Sequence, residues 1–359
     1  MSIADEIAGI PESDDEEIRS ARERGCKISL LQLQLRDEKA KLKQAEADLV
    51  QARELVEIVE ATKDQIKSRG KKRNVTKSKS SGTATAIIGA TDWHLEEAVD
   101  PDTINGLNET SLDIMDTRIN ALWDKSLFML DFARNISDIK SIVLWLGGDL
   151  INGYIHEEME ESNFAGPTEA ILLAQDYVVD GIDRILKEAK PTGLTVVCNF
   201  GNHGRSTVKR RVSTGYRTSW EWLAYNNVAG YYKNNPKVKF QIAKGYHAYL
   251  DIQGHVVRFH HGDQMRYLGG VGGLSLPVNK AVDSWNKSKH ADMDIFGHYH
   301  TWQADWSWVS AGCAVGFNAY ALSIKARYQP PTQPFIVVDR EYGRVLAEPI
   351  FVAPPVKMP

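Results

Sequence analysis

The sequence Ile142-Val143-Leu144-Trp145-Leu146-Gly147-Gly148-Asp149-Leu150-Ile151-Asn152 joins an apolar run typical of a β-strand to a short polar motif. The same arrangement, an apolar run that leads into a polar motif, recurs at four other places. The motifs there are Thr91-Asp92-Trp93-His94, Gly201-Asn202-His203, His260-His261-Gly262-Asp263 and Gly297-His298-Tyr299-His300. Because α/β folds place ligands at the carboxyl ends of strands, we expect the five motifs to converge on one site.

The side chains of these motifs are imidazoles, carboxylates and one amide oxygen, which suit Mn, Fe or Zn better than Mg or Ca alone. In this order the motifs resemble those of the calcineurin-like metallophosphoesterase superfamily: D-x-H, G-D-x-x-D/N, G-N-H-D/E, H-G and G-H-x-H. The resemblance covers the chain from about Thr85 to its end and leaves out the first eighty residues. It implies a four-layer α/β/β/α sandwich, whereas periodicity alone indicates only an α/β fold.

The resemblance also assigns roles to individual residues. It implies that one metal is held by Asp92, His94 and His300, and the other by Asn202, His261 and His298. Asp149 would bridge both metals, and His203 would act on the substrate as a general acid rather than as a ligand. If the loops are extended, residues i and i+2 point the same way, which lets Asp92 and His94 face one centre. Of the adjacent His260 and His261, the one directly before Gly262 matches the superfamily ligand.

The resemblance fails at one position. Gly204 follows Gly-Asn-His, where the superfamily has Asp or Glu, so the residue that orients this loop is in doubt. The loop is instead basic, and no acid occurs before Glu221. We predict that its arginines bind substrate phosphates beside the scissile one; the alternative is a solvated loop paired with acids elsewhere. The predicted substrate-binding residues are Arg205, Arg210 and Arg211. Asp263 is predicted to orient a ligand histidine.

The N-terminal part has a different composition. Residues 1–17 are acidic and predict a flexible tip. Residues 18–68 carry apolar residues at heptad spacing from Ile28 to Ile66, which predicts a coiled-coil helix that joins copies of the chain into a homo-oligomer. The alternative is a helix packed on its own catalytic domain. Residues 69–83 are a basic linker, either solvated or in contact with phosphate backbones. The predicted phosphoesterase domain spans 84–359.

Composition limits the setting of the protein. The 359 residues are 43% hydrophobic, which is enough for a full core, and no apolar run is long enough to span a membrane. The N-terminus lacks a signal-peptide pattern, and three widely separated cysteines argue against a disulfide framework, so we expect a cytoplasmic protein. The net charge of −4 carries no general signature of nucleic-acid binding.

The pattern of the chain also predicts individual elements. Helices are predicted over Ser111–Asn135, Thr168–Ala189 and Ser219–Tyr232. A successive antiparallel set is predicted from Val238–Ile242, Ala248–Ile252 and His255–Phe259, and a closing hairpin from Phe335–Val338 and Arg344–Phe351.

These observations predict a hydrolase with two divalent metal ions, Mn first and Fe, Zn or Ni as alternatives. A metal-bridging hydroxide would attack the phosphorus in line, and DNA is the expected substrate. The motif style is similar to that of phage and bacterial DNA-repair-exonuclease-like phosphoesterases. Two alternatives stay open: a phosphomonoesterase acting on a nucleotide or phosphoprotein, and a coiled-coil assembly protein with a structural metal site.

Overall fold

A computed structural model describes residues 83–266 and 273–355, together with residues 35, 38–39 and 41–43, which are helical. The predicted acidic tip at 1–17 and most of the predicted coiled coil and linker lie outside the described residues. The chain divides into two compact units. The larger unit, residues 75–268 and 281–359, contains all the strands and the five motifs.

The described part of the chain contains both strands and helices. The strands are β1 (Ala84–Ala90), β2 (Ile139–Leu146), β3 (Gly193–Cys198), β4 (Val238–Ile242), β5 (Ala248–Ile252), β6 (His255–His260), β7 (Met293–Phe296), β8 (Gln303–Ala304), β9 (Trp308–Ser310), β10 (Thr332–Asp339) and β11 (Gly343–Phe351). The helices are α1 (Leu112–Arg134), α2 (Glu157–Ser162), α3 (Pro167–Arg184), α4 (Trp220–Tyr231), α5 (Ser275–Ser288) and α6 (Ala319–Ser323). Short 3-10 turns occur at Pro101–Ile104 and Gly215–Thr218, and a π turn at Ile185–Ala189 extends α3.

The strands form two sheets flanked by helices. The first has the order β11-β10-β1-β2-β3-β4, in which β1 to β4 run parallel and β10 is antiparallel to β1. The second has the order β5-β6-β7-β9-β8. The predicted hairpin forms as β10 and β11. The predicted antiparallel succession is wrong for its first member, because β4 pairs parallel with β3 in the first sheet and only β5 and β6 pair antiparallel.

The central strands of the first sheet are buried on both faces, and their alternating side chains enter two different cores. Ile88 and Leu144 pack with the helices, whereas Ile87 and Val143 pack against Phe259 of the second sheet and its neighbours. A parallel strand covered on both sides reads as a continuous apolar run, as β1 and β2 do. This layering places the carboxyl ends of β1, β2 and β3 beside those of β6 and β7.

Local signals placed the helices well. Ser111 caps α1 by accepting the Ile114 N–H at 3.2 Å, and Ser219 caps α4 by accepting the Trp222 N–H at 3.1 Å. Helices α2, α5 and α6 and strands β8 and β9 were not predicted from the sequence. No described helix is long and apolar enough to cross a membrane. Cys198 and Cys313 are buried free thiols.

Candidate metal centre

The side chains predicted to bind metal come together at the carboxyl ends of β1, β2, β3, β6 and β7. Their donor atoms fall into overlapping groups in which all atoms lie within 4.8 Å of one another. The groups are Asp92, His94 and His300; His94, Asp149 and His203; and Asp149, His261 and His298. The Asn202 Oδ1 atom joins the third group, 3.2 Å from His261 Nε2. The first and third groups match the two predicted ligand sets.

Asp149 is the residue that the second and third groups share. Its Oδ2 lies 2.9 Å from Nε2 of His261, and its Oδ1 accepts the backbone N–H of His203 at 2.7 Å. The side chain is 1% exposed, so water contributes little to holding its charge. Burial raises the pKa of the Asp149 carboxyl, but the charge and the hydrogen bond of His261 outweigh burial and hold that pKa well below its usual range. The carboxylate is therefore ionised and available as a bridging ligand.

Hydrogen bonds to the outer nitrogens orient two of the imidazoles. His94 Nδ1 lies 2.9 Å from Asn152 Oδ1, and His261 Nδ1 lies 2.9 Å from the Gly147 carbonyl oxygen. Both partners are acceptors, so each Nδ1 carries a proton. Nε2 of the neutral His94 ring is then an acceptor that points inward, whereas Nε2 of His261 faces the Asp149 carboxylate and becomes an acceptor once it loses its proton. This donor pattern fits a divalent metal ion.

The tautomer of His94 follows from a second contact of the same asparagine. The Asn152 amide nitrogen donates to Asn163 Oδ1 at 2.8 Å, which turns Oδ1 toward His94. Burial, with repulsion from His203 and His300, lowers the pKa of His94 well below its usual value. His94 is therefore neutral, with a free lone pair on Nε2, which lies 3.1 Å from His300 Nε2.

The backbone of the ligand loops is left-handed rather than extended. Asp92, His94, Asp149, His298 and His300 have φ values of 51°, 45°, 50°, 72° and 51°. The prediction that extended loops aim residues i and i+2 at one centre is therefore wrong in its geometry. Non-glycine residues in this region cost roughly 1–3 kcal/mol each and persist where surrounding contacts impose them. One such contact is the His298 N–H, which donates to both Asp92 carboxylate oxygens at 2.9 and 3.0 Å.

His203 lies beside the predicted ligands. Its Nδ1 is 2.9 Å from the Asn152 carbonyl oxygen, which fixes the proton on Nδ1 and leaves Nε2 free. Its ring meets that of His94 edge-to-face, with centroids 4.5 Å apart. Burial lowers the pKa of His203, although Asp149 opposes the change.

The three predicted substrate-binding arginines line one pocket, together with Asn202 and Tyr246. Their guanidinium groups differ in engagement. Arg205 donates to the backbone carbonyls of Asn202, Thr207 and Val208, and Arg210 pairs with Asp263. Arg211 is exposed and makes no hydrogen bond or ion pair within residues 83–266 and 273–355. Arg211 is therefore the arginine of this pocket that is free to bind a ligand.

Of two residues beside the ligands, Asp263 differs from its predicted role and His260 agrees with it. Asp263 binds Arg210, while the outer nitrogen of His261 is held by the Gly147 carbonyl, so Asp263 is not the orienting residue of that ligand. His260 is fully buried, stacks on Phe296 and lies 3.3 Å from Asp294. It therefore faces away from the metal centre, as the choice of His261 requires.

Sequence reasoning missed three residues that support the ligand loops. Asn152 was part of a quoted motif but had no role. Glu96 is buried and accepts the N–H groups of Asn152 and Gly153 at 2.9 and 2.8 Å, and burial raises its pKa to about 7. Glu221, in the first turn of α4, is buried behind Asp149. The sequence feature that could have drawn attention to Glu221 is that it is the first acidic residue after the basic loop.

No protein-family model matches this chain, and no curated protein matches it. Among solved structures, it is similar to Vps29 from Entamoeba histolytica complexed with Zn²⁺, with 11% identity and a TM-score of 0.29 over 75% of this chain and 99% of that one. Vps29 from Chaetomium thermophilum has 10% identity and a TM-score of 0.27 over 74% of this chain and 95% of that one. The hypothetical protein PH1004 from Pyrococcus horikoshii has 10% identity and a TM-score of 0.34 over 74% of this chain and 87% of that one.

Proposed function

We propose that this chain is a metal-dependent phosphoesterase of the calcineurin-like class that hydrolyses phosphodiester bonds, with DNA as its substrate. The observation that carries the proposal is the convergence of seven donor side chains from five strand ends. Asp149 belongs both to the group that contains His94 and to the group that contains His261. A structural metal site needs about four ligands, closed around one ion. Seven donors around a shared carboxylate instead suit two ions, as in enzymes that act on phosphate esters.

The two ions would occupy the two predicted ligand sets. Asp92, His94 and His300 would hold one, Asn202 and two histidines the other, and Asp149 would contact both. When bound, the ions would supply the positive charge that stabilises an attacked phosphoryl group. Mn is the ion we propose; Fe, Zn and Ni suit the same donors.

His203 is the proposed general acid. Its Nδ1–H is bound to the Asn152 carbonyl oxygen, so Nε2 is the atom that faces the substrate. Burial keeps this imidazole neutral in the free protein. A phosphate group brought against Nε2 favours the charged ring, so the histidine gains its proton as the substrate binds and then donates it to the leaving oxygen.

The arginine pocket supports a substrate with more than one phosphate. It borders Asn202, whose amide oxygen is a proposed ligand, and the exposed Arg211 lines the same pocket. A planar guanidinium suits a phosphate oxygen pair. A nucleic-acid strand presents such a phosphate beside the scissile one, whereas a small monoester does not.

The test compares a phosphodiester and a phosphomonoester. Chelator-stripped protein is supplied with Mn, and hydrolysis of bis(4-nitrophenyl) phosphate and of 4-nitrophenyl phosphate is followed side by side. We expect the unmodified protein to cleave the diester and His203→Ala to lose this activity. We also expect the unmodified protein to cut labelled single- and double-stranded DNA. Activity confined to the monoester overturns the diesterase assignment. Intact DNA beside rapid hydrolysis of the chromogenic diester overturns the choice of DNA.

A further inference from the structure

The glycine at position 204 is explained by space rather than by backbone conformation. Gly204 does not adopt the left-handed φ that favours glycine. A Cβ atom added there would lie 2.7 Å from Glu221 Cγ, 2.9 Å from its Cδ and 3.1 Å from its Oε2. These distances are too short for any side chain to coexist with Glu221 as it stands. The volume that a residue at 204 would use is therefore filled by Glu221.

Glu221 joins two of the motif loops. It is fully buried, and its carboxylate accepts the Leu150 N–H at 2.6 Å and the Gly201 N–H at 2.7 Å. Leu150 directly follows Asp149, and Gly201 directly precedes Asn202. Burial and the Asp149 carboxylate raise the pKa of Glu221 to about 8, although the two N–H donors oppose the change. Both carboxyl oxygens accept a backbone N–H group in this geometry. One side chain thus sets the spacing between the shared ligand and the amide ligand.

The start of α4 is itself fixed to the same loop. The Trp220 N–H donates to the Gly204 carbonyl oxygen at 2.8 Å, and Ser219 caps the helix. The loop that Glu221 supports therefore also fixes the direction from which the Glu221 side chain approaches the Leu150 and Gly201 N–H groups. This arrangement explains why the acid is on a helix seventeen residues beyond the glycine.

We propose that Glu221 is the positioning carboxylate of the metal centre and that Gly204 is its steric complement. The inference rests on the proposed function, since it concerns the same site. Glu221 touches neither metal nor substrate in this account; it acts through the backbone of the two loops. A carboxylate side chain at position 204 would occupy the same space as the one at position 221, so only one of the two can be present.

The experiment moves the carboxylate between the two positions. The variants are Glu221→Ala, Glu221→Gln, Gly204→Glu and the double variant Gly204→Glu/Glu221→Ala. A glutamate at 204 carries its carboxyl carbon two bonds from Cβ, about 2.5 Å away. That distance approaches the 2.9 Å between the added Cβ and the present Glu221 Cδ. The full-length protein is used, and Mn affinity is measured by competition with a fluorescent chelator, beside kcat, KM and thermal melting of the metal-free protein.

Glu221→Ala and Gly204→Glu are each expected to lower Mn affinity about 10–100-fold, the range for residues that orient ligands. Glu221→Gln keeps the volume but turns an N–H₂ toward one of the two N–H donors, so it is expected to lose affinity as well. The double variant is expected to bind Mn at least tenfold more tightly than Glu221→Ala. A helix-capping role alone would lower the melting temperature and leave Mn affinity unchanged.

Two results overturn the inference: Glu221→Gln binds Mn within twofold of the unmodified protein, or a folded double variant binds no better than Glu221→Ala. If Glu221→Ala does not fold, the Glu221→Gln result decides. Inactivity of the unmodified protein on every ester would reject the phosphoesterase assignment, yet the affinity comparison would still decide the role of Glu221.

Discussion

The metal-centre loops and the basic loop at 205–217 flank the same Asn202-His203 sequence but are built differently. In the metal-centre loops four of the seven donor residues are buried and three are half-buried, five have a left-handed backbone, and outer nitrogens and N–H groups are bound by other motifs. In the basic loop Arg210 and Arg211 are exposed, and two of the three arginines are engaged within the protein. The difference indicates that the chemistry is fixed by buried contacts, while substrate recognition depends on few exposed groups.

The largest effect is expected at the shared carboxylate. Asp149→Asn removes the carboxylate that would bind both ions of the proposed centre, so the loss of Mn affinity should exceed the roughly 10–100-fold cost of changing an outer residue. Calorimetric titration with Mn measures it. Asp131→Asn, at a side chain that is 80% exposed, is the control and should bind Mn normally. Normal Mn binding by Asp149→Asn would contradict the shared-ligand role.

The second prediction concerns His203, which is as close to Asp149 as a ligand would be. If it is the general acid, His203→Ala should lower kcat for the diester by about 10²–10⁴-fold while Mn affinity stays the same. Measuring both in one preparation separates the two roles. A loss of Mn affinity would make His203 a ligand and extend the metal centre by one residue.

The third prediction concerns the asparagine that orients His94. Asn152→Ala removes the acceptor of the Nδ1 proton and should lower Mn affinity about 10–100-fold, without removing any donor to the metal. Asn152→Asp keeps an acceptor and should recover part of the loss. Equal losses in the two variants would show that the Nδ1 contact is not what orients the ring.

The fourth prediction is a dependence of Mn affinity on pH. Burial lowers the pKa of His261 but the Asp149 carboxylate outweighs it, and the resulting pKa is about 10 in the metal-free protein. Below that pH a proton must leave before Nε2 can bind Mn, so affinity should rise by up to about tenfold per pH unit. The same pairing stabilises the metal-free protein below about pH 6.5, and this stabilisation is lost as the pH rises toward 10. Affinity that stays constant between pH 6 and 9 would contradict this pairing.

The smallest effect is expected in the basic loop. Arg211→Ala should raise KM for DNA a few-fold and reduce the salt dependence of binding by about one phosphate contact, because this guanidinium has no partner in the described residues. Hydrolysis of the chromogenic diester should not change. Arg205→Ala is the matched comparison, since that side chain supports its own loop and its loss should affect both substrates.

The parts of the molecule that were predictable from sequence depend on local signals. Strands followed by polar motifs, and serines at 111 and 219 that cap helices, are properties of neighbouring residues. The choice of the first sheet for β4 was not predictable, since it depends on pairing with β3 rather than on anything in Val238–Ile242. The left-handed backbone at the ligands was also missed, because Asp and His adopt it more often than most residues but only in a small minority of positions, where tertiary contacts impose it.

The residues that support the site were missed for the same reason, because their roles depend on tertiary contacts. Glu221 and Gly204 share one volume although they are seventeen residues apart, and Arg210 is paired with Asp263 from a different strand end. Such relations appear only when the chain is folded. The homo-oligomer through residues 18–68 and the contact of the basic linker with nucleic acid stay predictions.

The most direct test of the account is the number and place of the bound ions. Crystals grown with Mn are measured at a wavelength where manganese scatters anomalously. A dinuclear centre would give two peaks about 3.5–4 Å apart, one on each side of the Asp149 carboxylate. A single peak enclosed by four ligands, or no peak among these seven side chains, would contradict a dinuclear centre and with it the proposed phosphoesterase.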